Sequence, residues 1–146
     1  MGHRRSSREL ALQALYYIDM GKNDPERALT LFCINFEPAE DIKPFFTFLT
    51  EGVLERKAEI DRMIETFSSN WKLSRMSGVD RNVMRIAAFE MIHCPDIPSK
   101  VSINEAIDIG KKYGTADSGA FINGILDAIS LDLEKTKAGT GGSCDR

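Results

Sequence analysis

Apolar residues recur at helical spacing along almost the whole chain, and strand-like alternation is scarce. That pattern restricts the fold to packed helices, an all-α class. At 146 residues the chain is most simply one domain. A chain of this length buries roughly two-thirds of the surface it would expose when unfolded, so it can build a real core.

Six helices follow from the spacing. The first covers about residues 7–20, with Leu10, Ala11, Ala14, Leu15 and Ile18 on one side and Tyr16 off that stripe. Asp24-Pro25 opens the second, with Asp as N-cap and Pro at the first helical position, and Pro38 ends it. A long third helix spans about 41–67 and tolerates Pro44 in its first turn. Ser68-Ser69-Asn70 is a turn, and a short Trp71 segment, the candidate for a seventh helix, leads to a break at Ser77-Gly78. The fourth helix, about 79–93, is apolar nearly all round and belongs at the centre of a bundle. Ser102-x-x-Glu105 reads as a capping box opening the fifth, which Gly114 stops. The sixth runs from about Asp117 to Leu133, with Phe121 and Asn123 on the shoulders of its apolar stripe. The expected division is a helical domain over 1–134 and a flexible tail over 135–146.

Charge and cysteines narrow the function classes. A formal net charge of -3 argues against a uniformly basic nucleic-acid binder. It leaves room for a local basic patch, because salt screens exposed charges over roughly 8–10 Å. Arg4, Arg5 and Arg8 form such a cluster, with no acid among the first eight residues. Cys33, Cys94 and Cys144 are far apart, odd in number and form no CxxC pair. No disulfide framework, metal site or cofactor is expected, and a reducing cytoplasm is the expected compartment. No apolar run is long enough for a signal peptide or a membrane span.

The hinge between the last two helices gathers Lys111, Lys112, Tyr113, Asp117 and Phe121 within eleven residues. Catalytic readings are weaker than binding ones. His93 and Cys94 are adjacent and so point about 100° apart on a helix, which disfavours a nucleophile–base pair. Glu90 falls on the apolar face of the fourth helix, where a carboxylate is expected to sit in an ion pair with one of the arginines. For RNA, the terminal arginines can meet phosphates, and Tyr16 and Phe121 can stack on unpaired bases. Periodicity alone favours a core-edge position for each aromatic.

The chain resembles the NusB family of bacterial transcription antitermination factors over nearly its full length. RRSSRELALQALY, VDRNVMRIAAFEM and VSINEAIDIGKKYG followed by DSGAFINGILD carry the resemblance. It implies about seven helices in two subbundles, and a non-enzymatic, cytoplasmic RNA-binding adaptor. The adaptor would pair with the ribosomal protein NusE, bind single-stranded boxA-type RNA of ribosomal RNA operons, and act on elongating RNA polymerase with other Nus factors. By the same resemblance Arg4, Arg5, Arg8, Tyr16, Asp117 and Phe121 match RNA-contacting positions, and Tyr16 and Asp80 match partner-contacting ones. Asn123 and Gly124 match motif positions with a structural role. Two alternatives are kept. One is a helical domain related to the N-terminal part of ribosomal RNA cytosine methyltransferases, which lacks their following cofactor-binding domain. The other is a purely structural helical protein that homo-oligomerises; for the adaptor itself, a homodimer when free is kept as a partner expectation.

Overall fold

The computed structural model describes residues 3–21, 23–69 and 71–139. These form seven helices: α1 (His3–Met20), α2 (Pro25–Asn35), α3 (Lys43–Glu55), α4 (Lys57–Thr66), α5 (Gly78–His93), α6 (Ser99–Tyr113) and α7 (Ser118–Gly139). A single 3₁₀ turn, Leu73–Arg75, joins α4 to α5. No strand occurs among the described residues, and none of these helices is long and apolar enough to cross a membrane.

Helix α5 is the axis of the molecule. Every residue from Asn82 to Met91 is buried, as its all-round apolar sequence requires. Helices α1, α3, α4, α6 and α7 all pack against it. Helices α1, α2 and α3 make one group, and α4 to α7 the other. Ala11, Ala14 and Leu15 of α1 meet Phe46, Leu49 and Val53 of α3 and the α5 residues in one continuous core. From the other side Ile122, Leu126 and Ile129 of α7 enter the same core and are wholly buried.

Local signals explain several boundaries. Asp24 caps α2 by accepting the Arg27 backbone N–H at 3.2 Å, with Pro25 behind it. Ser77 caps α5 by accepting from Asp80 N at 3.0 Å. Gly114 ends α6 at an ordinary φ of -104°, so a left-handed turn is not the reason for glycine there. The reason is space, since a Cβ at Gly114 would lie 2.4 Å from the Ser118 hydroxyl.

Three expectations give way to tertiary packing. The long third helix is two helices broken at Arg56, where φ is -110° and ψ is 21°. The break lets α3 pack on α1 while α4 turns to lie against α5 and α7. The seventh helix arises from this break, not from the Trp71 segment. Ser102 is not an N-cap, because α6 begins a turn earlier, at Ser99. Its hydroxyl instead donates to Glu90 Oε1 at 2.9 Å, and Glu105 pairs with arginines of α1. Finally, α1 starts at His3 rather than Ser7, and α7 continues past Lys135 to Gly139. Asn70, Cys144 and the rest of the expected tail lie outside the described residues.

Candidate nucleic-acid interface

Helices α1 and α6 run side by side, and ion pairs set their register. Arg5 donates to both Glu105 oxygens and, through Nη2, to Asp108 Oδ2 at 3.0 Å. Four residues along α1, Glu9 Oε1 accepts from Lys112 Nζ and from the Tyr113 hydroxyl, each at 2.9 Å. Arg5 therefore meets the middle of α6, and Glu9 meets its end. The end of α6, from which the hinge leads on, comes level with Glu9 in the second turn of α1, between Arg5 and Tyr16 along that helix.

These contacts tune the groups involved. The Arg5 hydrogen bond holds the Glu105 carboxyl below its usual range, against the opposing effect of burial. Glu105 in turn raises the Arg5 pKa, so the guanidinium stays charged. Burial and the Glu9 hydrogen bond push the Tyr113 phenol up, so it remains a donor at neutral pH.

The expected site residues separate into two kinds. Arg4 is exposed, its guanidinium carbon 4.7 Å from the centre of the Phe45 ring. Arg5 is partly exposed at the same end of α1. Asp117 is exposed at the hinge. Phe121 is half-buried in the first turn of α7, packed against the core on one side and against Trp71 on the other. Tyr16 is 41 % exposed and lies over Gly78, whose missing side chain makes room for the ring. Asp80 is close by in the first turn of α5, where the helix N-terminus favours negative charge. One of its oxygens, Oδ1, is buried and has no hydrogen-bond partner among the described residues.

Arg8 is the correction. It was grouped with the phosphate-contacting arginines, yet it is only 4 % exposed. Nε donates to Glu90 Oε2 at 2.6 Å, Nη2 to Glu90 Oε1 at 2.8 Å and Nη1 to Glu105 Oε1 at 3.3 Å. Three residues after Arg5, it turns by about 300° on the helix, from the edge of α1 into the α1–α5–α6 junction. It organises the surface from beneath and does not face solvent.

Arg8 also answers the expected ion pair of Glu90. The neighbouring Cys94 thiol is pushed up to about 11, chiefly by burial, which keeps it protonated and a poor nucleophile. Burial lowers the His93 pKa, and its ring packs 4.9 Å from Phe89.

Two further residues touch the expected ones: Glu105, bonded to Arg5 and Arg8, and Trp71, packed against Phe121. Glu105 reads as a capping-box residue in the sequence, whereas the structure pairs it directly with Arg5 and Arg8. In the sequence Trp71 reads as part of a short connecting segment and candidate helix, with no ligand role. Its one available signal was a large aromatic between turn residues and Lys72, with no apolar periodicity to bury it.

A protein-family model described as the NusB family matches residues 5–131. The transcription antitermination protein NusB of Desulfatibacillum aliphaticivorans is 62 % identical over 135 residues, covering 92 % of this chain and 94 % of the relative. The NusB protein of Myxococcus xanthus is 46 % identical over 139 residues, covering 92 % of this chain and 99 % of the relative. Among solved structures, T. maritima NusB superposes with a TM-score of 0.78 at 36 % identity, over 92 % of this chain and 96 % of that one. A chain in the crystal structure of antitermination factors NusB and NusE in complex with dsRNA gives a TM-score of 0.80 at 25 % identity, over 90 % and 98 %.

Proposed function

Because the chain belongs to the NusB family of transcription antitermination proteins, we propose that it is a non-enzymatic RNA-binding adaptor of transcription elongation. It binds boxA-type RNA of ribosomal RNA operons together with the ribosomal protein NusE. The bound pair acts on elongating RNA polymerase with other Nus factors. Its compartment is the bacterial cytoplasm, where nascent RNA is made.

The observation that carries this reading is the joining of α1 to the α6–α7 hinge through Arg5–Glu105 and Glu9–Lys112/Tyr113. That pairing sets the partly exposed Arg5 against α6 and leads, through Glu9 and the end of α6, to the hinge with the exposed Asp117 and the half-buried Phe121; Arg4 adds an exposed cation at the start of α1, 4.0 Å from Asp96. Guanidinium groups meet phosphates, a ring stacks on an unpaired base, and a carboxylate accepts from base amino groups. Tyr16 and Asp80 lie further along, at the junction of α1 with α5, and form the proposed protein-contacting end. Few cations face the RNA here, and the chain is acidic overall. A basic ribosomal partner complements both features, and binding one RNA together makes its second contact effectively intramolecular.

The test is a titration of a boxA-type single-stranded RNA and a scrambled control, with and without NusE. Preference for the boxA-type RNA that sharpens when NusE is present is the expected result. Equal binding of both RNAs in both conditions refutes the proposal.

A further inference from the structure

We propose that Trp71 is a base-stacking residue, and that Trp71 and Phe121 together form a two-ring platform for single-stranded RNA, with the exposed cations Lys72 and Arg75 following Trp71 in the chain; this rests on the RNA-binding reading above. Trp71 is 53 % exposed, an unusual position for the largest aromatic side chain in a small helical protein. Its ring centre is 6.1 Å from that of Phe121, with the planes 75° apart. The edge-to-face contact steadies both rings, and the exposed indole surface is left for a ligand with a π face.

The segment carrying Trp71 is held on both sides. Before it, the buried Ser68 hydroxyl lies 3.1 Å from the Glu65 carbonyl and 2.7 Å from the carbonyl of Trp71 itself. The Trp71 N–H donates to the Ser68 carbonyl at 3.2 Å. After it, Leu73 is buried and its N–H donates to Glu65 Oε2 at 2.9 Å. Ser69 has a φ of 50°, a left-handed conformation that a serine adopts only when its surroundings impose it. Both backbone polar groups of Trp71 are thus engaged by Ser68.

Charge identifies the ligand. Lys72 and Arg75, one and four residues after Trp71, are exposed, and neither is among the ion pairs of the described residues. Glu9 and Glu105, by contrast, already hold Lys112 and Arg5. An exposed ring followed closely in the chain by two uncommitted cations suits a ligand that offers both bases and phosphates, as single-stranded nucleic acid does.

Trp71 is the only tryptophan in the chain, so its fluorescence reports this position alone. The full-length protein is titrated with a boxA-type single-stranded RNA without NusE. Indole emission and the anisotropy of labelled RNA are followed together. The expected result is quenching that saturates with the anisotropy change. Trp71→Ala is expected to weaken binding about 5- to 150-fold with helicity kept, and Trp71→Phe to retain most of the affinity. Should Trp71→Ala fail to fold, the wild-type quenching and Trp71→Phe still decide the matter. Unchanged affinity in Trp71→Ala, or RNA binding with no change in indole emission, overturns the inference while leaving the adaptor reading intact. A loss that appears only when NusE is present also overturns it, because Trp71 then belongs to a protein interface. Absence of RNA binding by the wild type, alone and with NusE, is instead the failure of the adaptor reading itself.

Discussion

Arg8 of α1 and Glu90 of α5 form a two-pronged ion pair, Nε to Oε2 at 2.6 Å and Nη2 to Oε1 at 2.8 Å, with both side chains almost wholly inside. Ser102 of α6 adds a third hydrogen bond to Glu90, at 2.9 Å. One buried carboxylate thereby links three helices and sets where the exposed Arg5 emerges. Glu90 has its charge and its hydrogen bonds satisfied, as burial of an ion demands.

Removing either partner leaves the other charge buried and alone. Arg8→Met or Glu90→Ala is expected to cost about 3–5 kcal/mol of stability in urea denaturation. Arg8 is not at the surface, so where Arg8→Met remains folded the salt dependence of RNA binding should match the wild type. A salt slope lower by about 0.7 would instead place Arg8 on a phosphate.

Arg5 is shared between protein and ligand. Asp108 holds one of its nitrogens at 3.0 Å from an exposed position on α6. Asp108→Asn should free that nitrogen and tighten RNA binding about 2- to 5-fold at low salt, the scale of one exposed pair. Arg4→Ala with Arg5→Ala should do the reverse, weakening binding and reducing the salt slope by up to about 1.4. A slope that does not move in the double variant removes the α1 terminus from the interface.

Acid should loosen the fold through two carboxylates. Arg5 holds Glu105 below its ordinary value. Burial works to raise Asp19, but hydrogen bonds from Asn82 and Arg81 and the charge of Arg85 outweigh it, and its pKa is lowered. A carboxyl with a depressed folded pKa binds fewer protons folded than unfolded. Its stabilisation is complete above the unfolded value, about 4, and is lost as pH falls through the folded one. Urea midpoints should be level from pH 7 to about 5 and then decline. Asp19→Asn should be less stable at pH 7 and decline less steeply; an unchanged acid slope would show that Asp19 is not responsible.

Phe121 has both a core contact and an exposed edge, so truncation to alanine confuses the two. Phe121→Leu keeps most of the packing and removes the ring. It should lower stability by less than about 1.5 kcal/mol and weaken RNA binding by about 1–3 kcal/mol. Full RNA affinity in Phe121→Leu would make the ring a packing element only.

The elements easiest to read were those set by nearby residues. Asp24-Pro25 began α2 and Ser77 capped α5, because a cap is made within one helical turn. The central place of α5 followed from its lack of a polar face. Arg56 was illegible, since the apolar stripe continues from Val53 to Ile60 with only the backbone turning between them. Ser102-x-x-Glu105 had the letters of a capping box, but both side chains were drawn to partners on other helices. Trp71 carried no periodic signal, because a residue outside a helix has no face to be assigned to.

The sequence by itself determined that the chain is all helical, which helix is central, and that cations and aromatics lie at the first helix and the last hinge. Each of these is written in residues close together, where a 3.6-residue repeat acts. Tertiary structure alone decided which cation faces outward. Arg5 and Arg8 are three residues apart with the same chemistry, and one meets the edge of α6 while the other meets a carboxylate 82 residues away. Nothing local distinguishes them; the cost of burying Glu90 without a partner does.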